Sequence, residues 1–468
     1  MRPPVQVRVG PMDLHRFAAV LSAAEYDWLL GMIAEADGLF RDRIVWNVNS
    51  TAAGGGVAEL LRPLVGYCLG AGVDARWLVI AGDADFFAVT KRVHNHLYGV
   101  DADGGGLGPR EHAVYERTLA TNARGLAAAV RPQDVVILHD PQTAGLVESV
   151  RAIGATVIWR CHVGLDHPNR LATAAWRFLR GYILRADAYV FSRAAFVWDD
   201  LDRARINVIH PSIDVFSPKN GEQTPEQSRA ILAAAGVVGG PPSAARRAEM
   251  IEEAPVTAAD RLVSQISRWD ALKDPLGVMR GFAGHVSHDA AHLLLAGPAP
   301  AAVADDPEGE RVFREVRDLW LGLPPDVRRR IHLAALPMDD ADENAAIVNA
   351  LQRHSEVVVQ KSLAEGFGLT VAEAMWKARP VIASRIGGIQ DQIVDGVSGL
   401  LLGDPRDPRQ FGAAVSALLA DVPRARRLGT AARERVSHHF LGPHHLGRYF
   451  ELIQRLTASA GVGPGTRR

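Results

Sequence analysis

Residues 357–375 read VVVQKSLAEGFGLTVAEAM. The run begins with three valines, which is typical of a buried β-strand, and continues into a turn that contains two glycines. A helical pattern starts near Leu369 or Thr370. The stretch therefore predicts a strand, a tight turn and a helix, which is the repeating unit of a parallel α/β sheet.

Short apolar runs of the same kind recur along the chain between helix-like segments. The first half contains the runs Ile44–Val48, Leu78–Ala81, Val135–His139, Thr156–Trp159, Tyr189–Phe191 and Val208–Ile209. The second half contains the runs Leu262–Ile266, Leu293–Ala296, Ile331–Leu333, Val357–Val359, Val381–Ala383 and Gly399–Leu402. This alternation indicates βαβ units. We therefore predict an α/β fold with two doubly wound, Rossmann-like domains whose strand ends face a central cleft.

The alternation of strand-like and helix-like runs also predicts the domain boundaries. Four segments follow from it, namely a Rossmann-like domain at residues 1–216, an interdomain connection with an insertion at 217–260, a second Rossmann-like domain at 261–440, and a terminal helix with a flexible tail at 441–468. The connection contains the run GGPPS at 239–243 and a charged, alanine-rich stretch, which favour irregular structure with partial helices. Apolar residues at helical spacing between Pro443 and Ala458 predict that the terminal helix is docked.

Composition indicates a soluble globular protein. The chain has 468 residues, of which 48% are hydrophobic and 22% charged, and this length is enough for two or three domains. With 52 basic and 53 acidic residues the net charge is −1, so no whole-chain field favours nucleic acid or an anionic membrane. Two cysteines, Cys68 and Cys161, fit a reducing compartment, and we find no signal peptide or membrane-spanning run. We expect a cytoplasmic protein.

Two cationic side chains follow the first strand of the second half. Arg268 and Lys273 lie just beyond the run Leu262–Ile266. The planar fork of an arginine and the point charge of a lysine suit phosphate oxygens. A diphosphate would fit between them, although the pair could also belong to a solvated loop.

Two glutamates flank the glycine turn of the opening stretch. Glu365 lies just outside the predicted helix and could reach hydroxyls of a bound sugar, whereas Glu373, one turn inside, could accept hydrogen bonds from a ribose diol. The free N–H groups and the positive dipole end of the helix suit a pyrophosphate. The alternative is that both carboxylates are ordinary helix-start acids, which favour the dipole by about 0.3–1 kcal/mol each.

Polar residues also lie at strand exits in the first half. The loop Gly54–Gly56 separates the first predicted strand from a helical pattern, so a backbone loop and a helix start could hold a ligand there. Asp140 and His162 follow two successive predicted strands, and together they favour a site. The alternatives are that the glycine loop is only a tight turn, that Asp140 is a helix cap, and that His162 is a core histidine.

Other nucleotide and metal motifs are absent from the sequence. The glycine loop lacks the Gly-Lys-Ser/Thr of a P-loop, and no Gly-x-Gly-x-x-Gly with a following acid indicates an NAD-binding oxidoreductase. The acidic runs at 101–103 and 338–342 match neither a Ca²⁺ loop nor a His/Cys site, so we interpret them as solvated loop acids. We predict no metal site and no required cofactor, and Mg²⁺ is not indicated.

The chain resembles a known enzyme family. Glu365-x7-Glu373 in its glycine context, with Arg268 and Lys273 upstream, is similar to the pattern of retaining glycosyltransferases of the GT-B fold, in the family numbered four. Within that family the resemblance extends to trehalose synthases that use a nucleotide sugar. The stretches that carry it are 49–61 (NSTAAGGGVAELL), 86–99 (FFAVTKRVHNHLYG), 137–146 (ILHDPQTAGL), 159–166 (WRCHVGLD), 210–220 (HPSIDVFSPKN), 266–278 (ISRWDALKDPLGV) and 358–402.

This resemblance implies a reaction and a set of site residues. The reaction is the reversible transfer of glucose from a nucleotide-diphosphate glucose to the anomeric hydroxyl of free glucose, which gives trehalose. Arg268 and Lys273 match diphosphate-binding cations, and Glu365 matches the residue that binds the donor hexose. The other donor-side positions are Gly366, Phe367, Gly368, Leu369, Thr370 and the ribose-binding Glu373. The positions that match the acceptor side are Asp140, His162, Gly54, Gly55 and Gly56.

Several alternatives stay open at this point. A retaining trehalose phosphorylase would use phosphate in place of the nucleotide, and Glu373 argues against it because a ribose partner has no purpose there. Another family-four glycosyltransferase or a non-catalytic sensor of nucleotide sugars would keep the same donor residues. The nucleotide base and the direction of flux are not fixed by the sequence. The region 221–260, longer than the family pattern, and the terminal helix are places where a homodimer could form.

Overall fold

Two separate sheets organise the chain into two units. A computed structural model describes residues 3–52, 55–101, 103–239, 247–287, 290–300 and 307–460. One unit comprises Met1–Ser212 together with Phe440–Arg468, and the other comprises Ile213–His439.

The first unit is built on a seven-stranded sheet. Its strands are β1 Val5–Val7, β2 Val45–Asn49, β3 Ala75–Val79, β4 Val135–His139, β5 Thr156–Cys161, β6 Ala188–Phe191 and β7 Ile206–Val208. Its first helices are α1 Ala23–Phe40, α2 Gly56–Gly70, α3 Ala84–Leu97, α4 Pro109–Ala129, α5 Asp140–Thr143, α6 Val147–Ile153 and α7 Arg170–Ile183. The strand order is β1-β3-β2-β4-β5-β6-β7, and every pairing is parallel except that of β1 with β3.

The second unit repeats this architecture. Its strands are β8 Glu249–Ile251, β9 Arg261–Ile266, β10 Ala291–Pro298, β11 Ile331–Leu336, β12 Val357–Gln360, β13 Val381–Ser384 and β14 Leu400–Leu402. Its helices are α8 Pro225–Ala235, α9 Pro275–His285, α10 Pro307–Leu321, α11 Pro325–Arg328, α12 Ala341–His354, α13 Leu369–Trp376, α14 Ile389–Gln392, α15 Pro408–Ala420 and α16 Val422–His439. The order is β14-β13-β12-β9-β10-β11-β8, with only β8 antiparallel.

All twelve predicted strands are present, so the doubly wound α/β fold is confirmed. The largest shifts concern the run predicted at Leu78–Ala81, which forms a strand at Ala75–Val79, and the run predicted at Val208–Ile209, which forms Ile206–Val208. The edge strands β1 and β8 were not predicted. Each has only three residues, and none of them is fully buried, so neither carries an apolar run.

Most of the segment interpreted as a connection with an insertion belongs to the second unit. Helix α8 has a complete capping box between Thr224 and Gln227, and it ends at Gly236 in a left-handed conformation. Leu232 and Val256 are buried in a core of that unit, and β8 extends its sheet. The segment therefore has regular structure at both ends, while 240–246 lie outside the described residues.

The last helix, α17, spans Gly442–Ala460 and returns to the first unit, which confirms the prediction of a docked terminal helix. Its residues Tyr449, Leu452 and Ile453 are buried against one face of the first sheet, together with Phe40 of α1. Among the residues that the structure describes, no helix is both long enough and apolar enough to cross a bilayer.

Candidate active site

In the second unit, predicted site residues from two neighbouring strand ends meet. Because β9 and β12 are adjacent and parallel, their carboxyl ends lie at the same edge of the sheet. Lys273, after β9, forms an ion pair with Glu365, after β12, although 92 residues separate them. Arg268 lies more in solvent, with 57% of its side chain exposed, and contacts Asp270 at 3.3 Å. The structure thus brings Lys273 and Glu365 together and leaves Arg268 accessible.

A second, buried ion pair supports this edge and was not predicted. Lys361 follows β12, is 1% exposed, and pairs through its Nζ with the carboxylate of Asp274. Asp274 has a φ of +50° and accepts a hydrogen bond of 3.0 Å from the backbone N–H of Gly277, which caps α9. Gln265 also joins the two loops, since its side chain donates to the Lys273 carbonyl at 2.8 Å and accepts from the Lys361 N–H at 3.3 Å.

Close backbone packing holds the glycine turn before α13. Gly368 has a φ of +85°, which favours glycine there. A Cβ on Gly387 would lie 1.8 Å from the Glu365 carbonyl oxygen, and one on Gly388 would lie 2.7 Å from that of Gly366. The pair Gly387 and Gly388 therefore lets the loop after β13 contact the turn before α13, and this contact fixes the backbone that leads into that helix. Phe367 is buried, and Leu369 and Thr370 are half-buried in the first turn of that helix.

Glu373 is more deeply buried than the sequence suggests. It is 3% exposed, its Oε1 lies 3.3 Å from Nζ of Lys219, and its Oε2 is buried without a hydrogen-bond partner among the described residues. One turn later, Lys377 donates to the side chains of Asn220 at 2.9 Å and Gln352 at 2.7 Å. Burial lowers the pKa of Lys377 to about 7. Glu373 thus lies beside cationic groups with one carboxylate oxygen unsatisfied.

In the first unit, the two predicted polar residues also meet. The backbone N–H of His162 donates to Oδ1 of Asp140 at 2.7 Å. Asp140 has a φ of +62°, which is costly for a residue with a Cβ, and its carbonyl accepts a hydrogen bond of 3.2 Å from the Trp159 indole. Burial raises the pKa of the Asp140 carboxyl to about 7. A strained residue with a shifted pKa at a strand exit is typical of a functional site.

Three further residues extend this cluster and were not predicted as site residues. The His139 Nδ1 lies 3.0 Å from Nε2 of His162, and its Nε2 lies 3.1 Å from Oδ1 of Asn47. The buried guanidinium of Arg160 donates from Nε to His162 Nε2 at 3.2 Å. Burial and the charge of Arg160 lower the pKa of His139 to about 3 and that of His162 well below its ordinary value. Both imidazoles are therefore neutral near pH 7.

The titration of Asp140 gives a testable dependence of stability on pH. Its carboxyl keeps a proton up to about pH 7 in the folded protein, against 3.8 for a free side chain. Its contribution to stability is therefore complete below pH 3.8 and is lost as the pH rises through 7. Asp140→Asn should gain stability relative to the wild type between pH 5 and pH 8, as measured by urea unfolding. Asp199→Asn, at an exposed site, is the matched control. If the difference in free energy of unfolding between Asp140→Asn and the wild type is the same at pH 5 and pH 8, the assignment is contradicted.

The remaining predicted positions lie outside these two clusters. Gly54 lies outside the described residues. Gly55 has a φ of +87° and precedes α2, which begins at Gly56, so the chain does pass from a glycine into a helix start. Of the acidic runs, Asp103 pairs with Arg92 at 2.9 Å, and Asp340 caps α12 by accepting from two backbone N–H groups. Among the described residues, no group of three or more His, Cys, Asp or Glu could hold a metal ion.

Known proteins are similar to this chain in sequence and in fold. Residues 47–198 match the family described as "Trehalose synthase, N-terminal domain", and residues 342–435 match "Glycosyl transferases group 1". The chain is 33% identical over 451 residues to the trehalose synthase of Pyrococcus horikoshii, which covers 96% of this chain and 97% of that protein. It is 26% identical over 450 residues to the trehalose phosphorylase of Pleurotus pulmonarius, which covers 91% of this chain but 58% of that protein.

A solved structure gives the fold comparison. An α,α-trehalose-phosphate synthase (UDP-forming) from Burkholderia xenovorans, in complex with glucose 6-phosphate, superposes with a TM-score of 0.66 at 15% identity, covering 88% of this chain and 100% of that one. The two doubly wound sheets and these matches define a glycosyltransferase of the GT-B fold, as predicted. Within that class, the chain belongs to the trehalose synthase family. It is therefore a trehalose-related glycosyltransferase.

Proposed function

We propose that the protein transfers glucose reversibly, with retention of configuration, from a nucleotide-diphosphate glucose to the anomeric hydroxyl of free glucose, forming trehalose. The observation that carries this proposal is the meeting of Lys273 and Glu365 beside the free amino end of α13, in a member of the trehalose synthase family. A cation, a carboxylate and unpaired backbone N–H groups are the groups that a sugar diphosphate requires.

On the donor side, Lys273 and the accessible Arg268 bind the diphosphate. The backbone from Gly366 to Thr370 adds N–H groups at the start of α13, where the helix dipole favours negative charge. Glu365, which holds Lys273 in the structure, accepts hydrogen bonds from hydroxyls of the donor hexose. The ion pair thus keeps both groups in place before the donor arrives.

Glu373 accepts hydrogen bonds from the ribose of the donor through its unsatisfied carboxylate oxygen. Glu373→Gln should raise KM for the nucleotide sugar by about tenfold, since a charged hydrogen bond is worth about 1.5–3 kcal/mol and a neutral one about half of that. Steady-state kinetics with varied donor would measure this. Glu434→Gln, at an exposed position of the same unit, is the control. An unchanged KM for the donor in Glu373→Gln would contradict the role.

On the acceptor side, the first unit supplies Asp140, His162 and the loop Gly54–Gly56. The neutral imidazole of His162 and the carboxyl of Asp140 hydrogen-bond hydroxyls of the acceptor glucose.

Two cysteines, Cys68 and Cys161, are unpaired, and on this ground we assign the enzyme to the reducing cytoplasm.

The chemical step needs no protein nucleophile. The acceptor hydroxyl attacks the anomeric carbon from the face that the diphosphate leaves, the glycosidic bond to the diphosphate breaks, and the departing phosphate oxygen takes the hydroxyl proton. The protein lowers the barrier by orienting the two sugars and by stabilising the charge that develops on the diphosphate. No metal or cofactor takes part in this scheme.

A donor comparison tests the proposal. Purified protein is incubated with glucose and, separately, with ADP-, UDP- or GDP-glucose or with glucose 1-phosphate, and the release of nucleoside diphosphate or phosphate is followed together with trehalose. We expect trehalose to equal diphosphate release with at least one nucleotide donor and to be much lower with glucose 1-phosphate. Efficient synthesis from glucose 1-phosphate alone would make the protein a phosphorylase. Donor binding without any trehalose would indicate a sensor or another acceptor.

A further inference from the structure

A cavity of about 80 Å³ lies inside the first unit, between one face of its sheet and the helices α1, α2 and α17. Most of its wall is apolar, with side chains such as Leu14, Ile33, Ala36, Leu64 and Ile453. A single water needs roughly 10–15 Å³ of such volume, so there is room for about five to eight atoms of that size. Apolar walls hold water poorly, which favours an organic occupant.

One end of the cavity is polar and positively charged. Asn47, His139, Arg160 and His445 line it there. Arg160 is 0% exposed, and no carboxylate among the described residues lies within ion-pair distance of its guanidinium. The cross-strand partner of Arg160 is His139, and the carboxylate of the next residue, Asp140, accepts a hydrogen bond from the backbone N–H of His162. A buried charge without a partner of opposite sign is unusual, because burial is costly unless the charge is compensated.

Two neighbouring groups offset the charge of Arg160 only in part. Its Cζ lies 5.8 Å from the centre of the Tyr449 ring, and its charge opposes the rise that burial causes in the pKa of the Asp140 carboxyl, which reaches about 7. Burial lowers the pKa values of His139 and His445, and burial raises that of Tyr449, so these groups are neutral near pH 7. The guanidinium donates from Nε to His162, from Nη1 to the Tyr449 hydroxyl at 3.1 Å, and from Nη2 to the Ile209 carbonyl at 3.0 Å. Of its five N–H groups, one on each terminal nitrogen remains available to a ligand oxygen. The Nδ1 of His445 is also buried without a partner.

We propose that this cavity binds a small organic carboxylate with a short apolar tail, its carboxylate on Arg160 and its tail among the side chains of α1, α2 and α17. The charge and the unused donors of Arg160 suit the carboxylate, and the apolar walls suit the tail. The inference does not depend on the proposed reaction, because its test measures binding of a carboxylate to the chain and not turnover.

Three probes test separately how much the carboxylate and the apolar tail contribute to binding. Isothermal titration of the full chain with hexanoate should show one site per chain. Hexanamide has the same number of non-hydrogen atoms without the charge, and it should bind about tenfold more weakly. Acetate keeps the charge without the tail, and it should bind weaker by roughly a hundredfold or more, because each buried methylene contributes about fourfold. An absence of hexanoate binding, or equal binding of hexanamide, would overturn the proposal.

Variants locate the site within the unit. Ala36→Leu fills the cavity from α1 and should abolish hexanoate binding, whereas Ala34→Leu, at an exposed position of the same helix, should not change it. Arg160→Met should bring hexanoate down to the affinity of hexanamide, with the exposed Arg185→Met as its control. If Arg160→Met does not fold, Ala36→Leu and the comparison of the three probes still test whether the cavity binds the carboxylate. Unchanged hexanoate binding in Ala36→Leu would place the ligand elsewhere and contradict the assignment.

Discussion

Replacing Lys273 with alanine should lower kcat/KM for the nucleotide-sugar donor by about 100- to 1000-fold, the loss expected when one preorganised donor to a developing charge is removed. Lys273 is held in place by Glu365 in the structure, so its charge needs no reorganisation when the diphosphate leaves. Arg268→Ala should fall in the same range, because in the proposed site both cations bind the same diphosphate. Initial rates at varied donor concentration measure both effects.

The control for these variants is Arg409→Ala, which removes an exposed positive charge from the same unit and should keep wild-type kinetics. Thermal unfolding of each variant separates loss of catalysis from loss of folding. Wild-type turnover in both Lys273→Ala and Arg268→Ala would show that the diphosphate is bound elsewhere.

Asp274→Asn should lower the free energy of unfolding by about 3–5 kcal/mol, the cost of leaving a buried charge unpaired. The unpaired charge is that of Lys361, which is 1% exposed. Asparagine keeps a side-chain oxygen to cap α9 and tolerates the left-handed backbone at this position, so the substitution removes the charge and little else. Urea unfolding at neutral pH measures the loss.

Two comparisons make this result specific. Asp274→Asn combined with Lys361→Met removes both charges and should be more stable than Asp274→Asn alone. Glu343→Gln breaks an exposed pair with Arg247 of 2.7 Å and should lower the free energy of unfolding far less than Asp274→Asn does. A loss in Asp274→Asn as small as that in the exposed pair would mean that Lys361 reaches water.

The fold could be predicted from the sequence because buried parallel strands are short, apolar and separated by helices. The run at 357–360 is an example, since three β-branched valines in sequence favour a strand that is covered on both faces. The strands β1 and β8 could not be predicted in this way. They join the edges of the sheets through backbone hydrogen bonds, and pairing at an edge does not require an apolar run.

The candidate site was predicted in part for a similar reason. Residues that follow strands, such as Lys273 and Glu365, can be placed at a common edge because the carboxyl ends of parallel strands lie at the same edge of a sheet. The partnerships of Lys361 with Asp274 and of Arg160 with Tyr449 are long-range side-chain contacts, which periodicity does not reveal. One signal was present in the sequence, because Arg160 interrupts an otherwise apolar strand and is therefore buried with its charge.

The reaction itself is tested most directly by following a labelled acceptor. The protein is incubated with [1-¹³C]glucose and an unlabelled nucleotide-diphosphate glucose, and the products are observed by NMR while nucleoside diphosphate is quantified. We predict α,α-trehalose labelled in only one of its two rings, in an amount equal to the nucleoside diphosphate released. Release of diphosphate with unlabelled free glucose as the product, or label in a different glucoside, would contradict transfer to the anomeric hydroxyl of glucose.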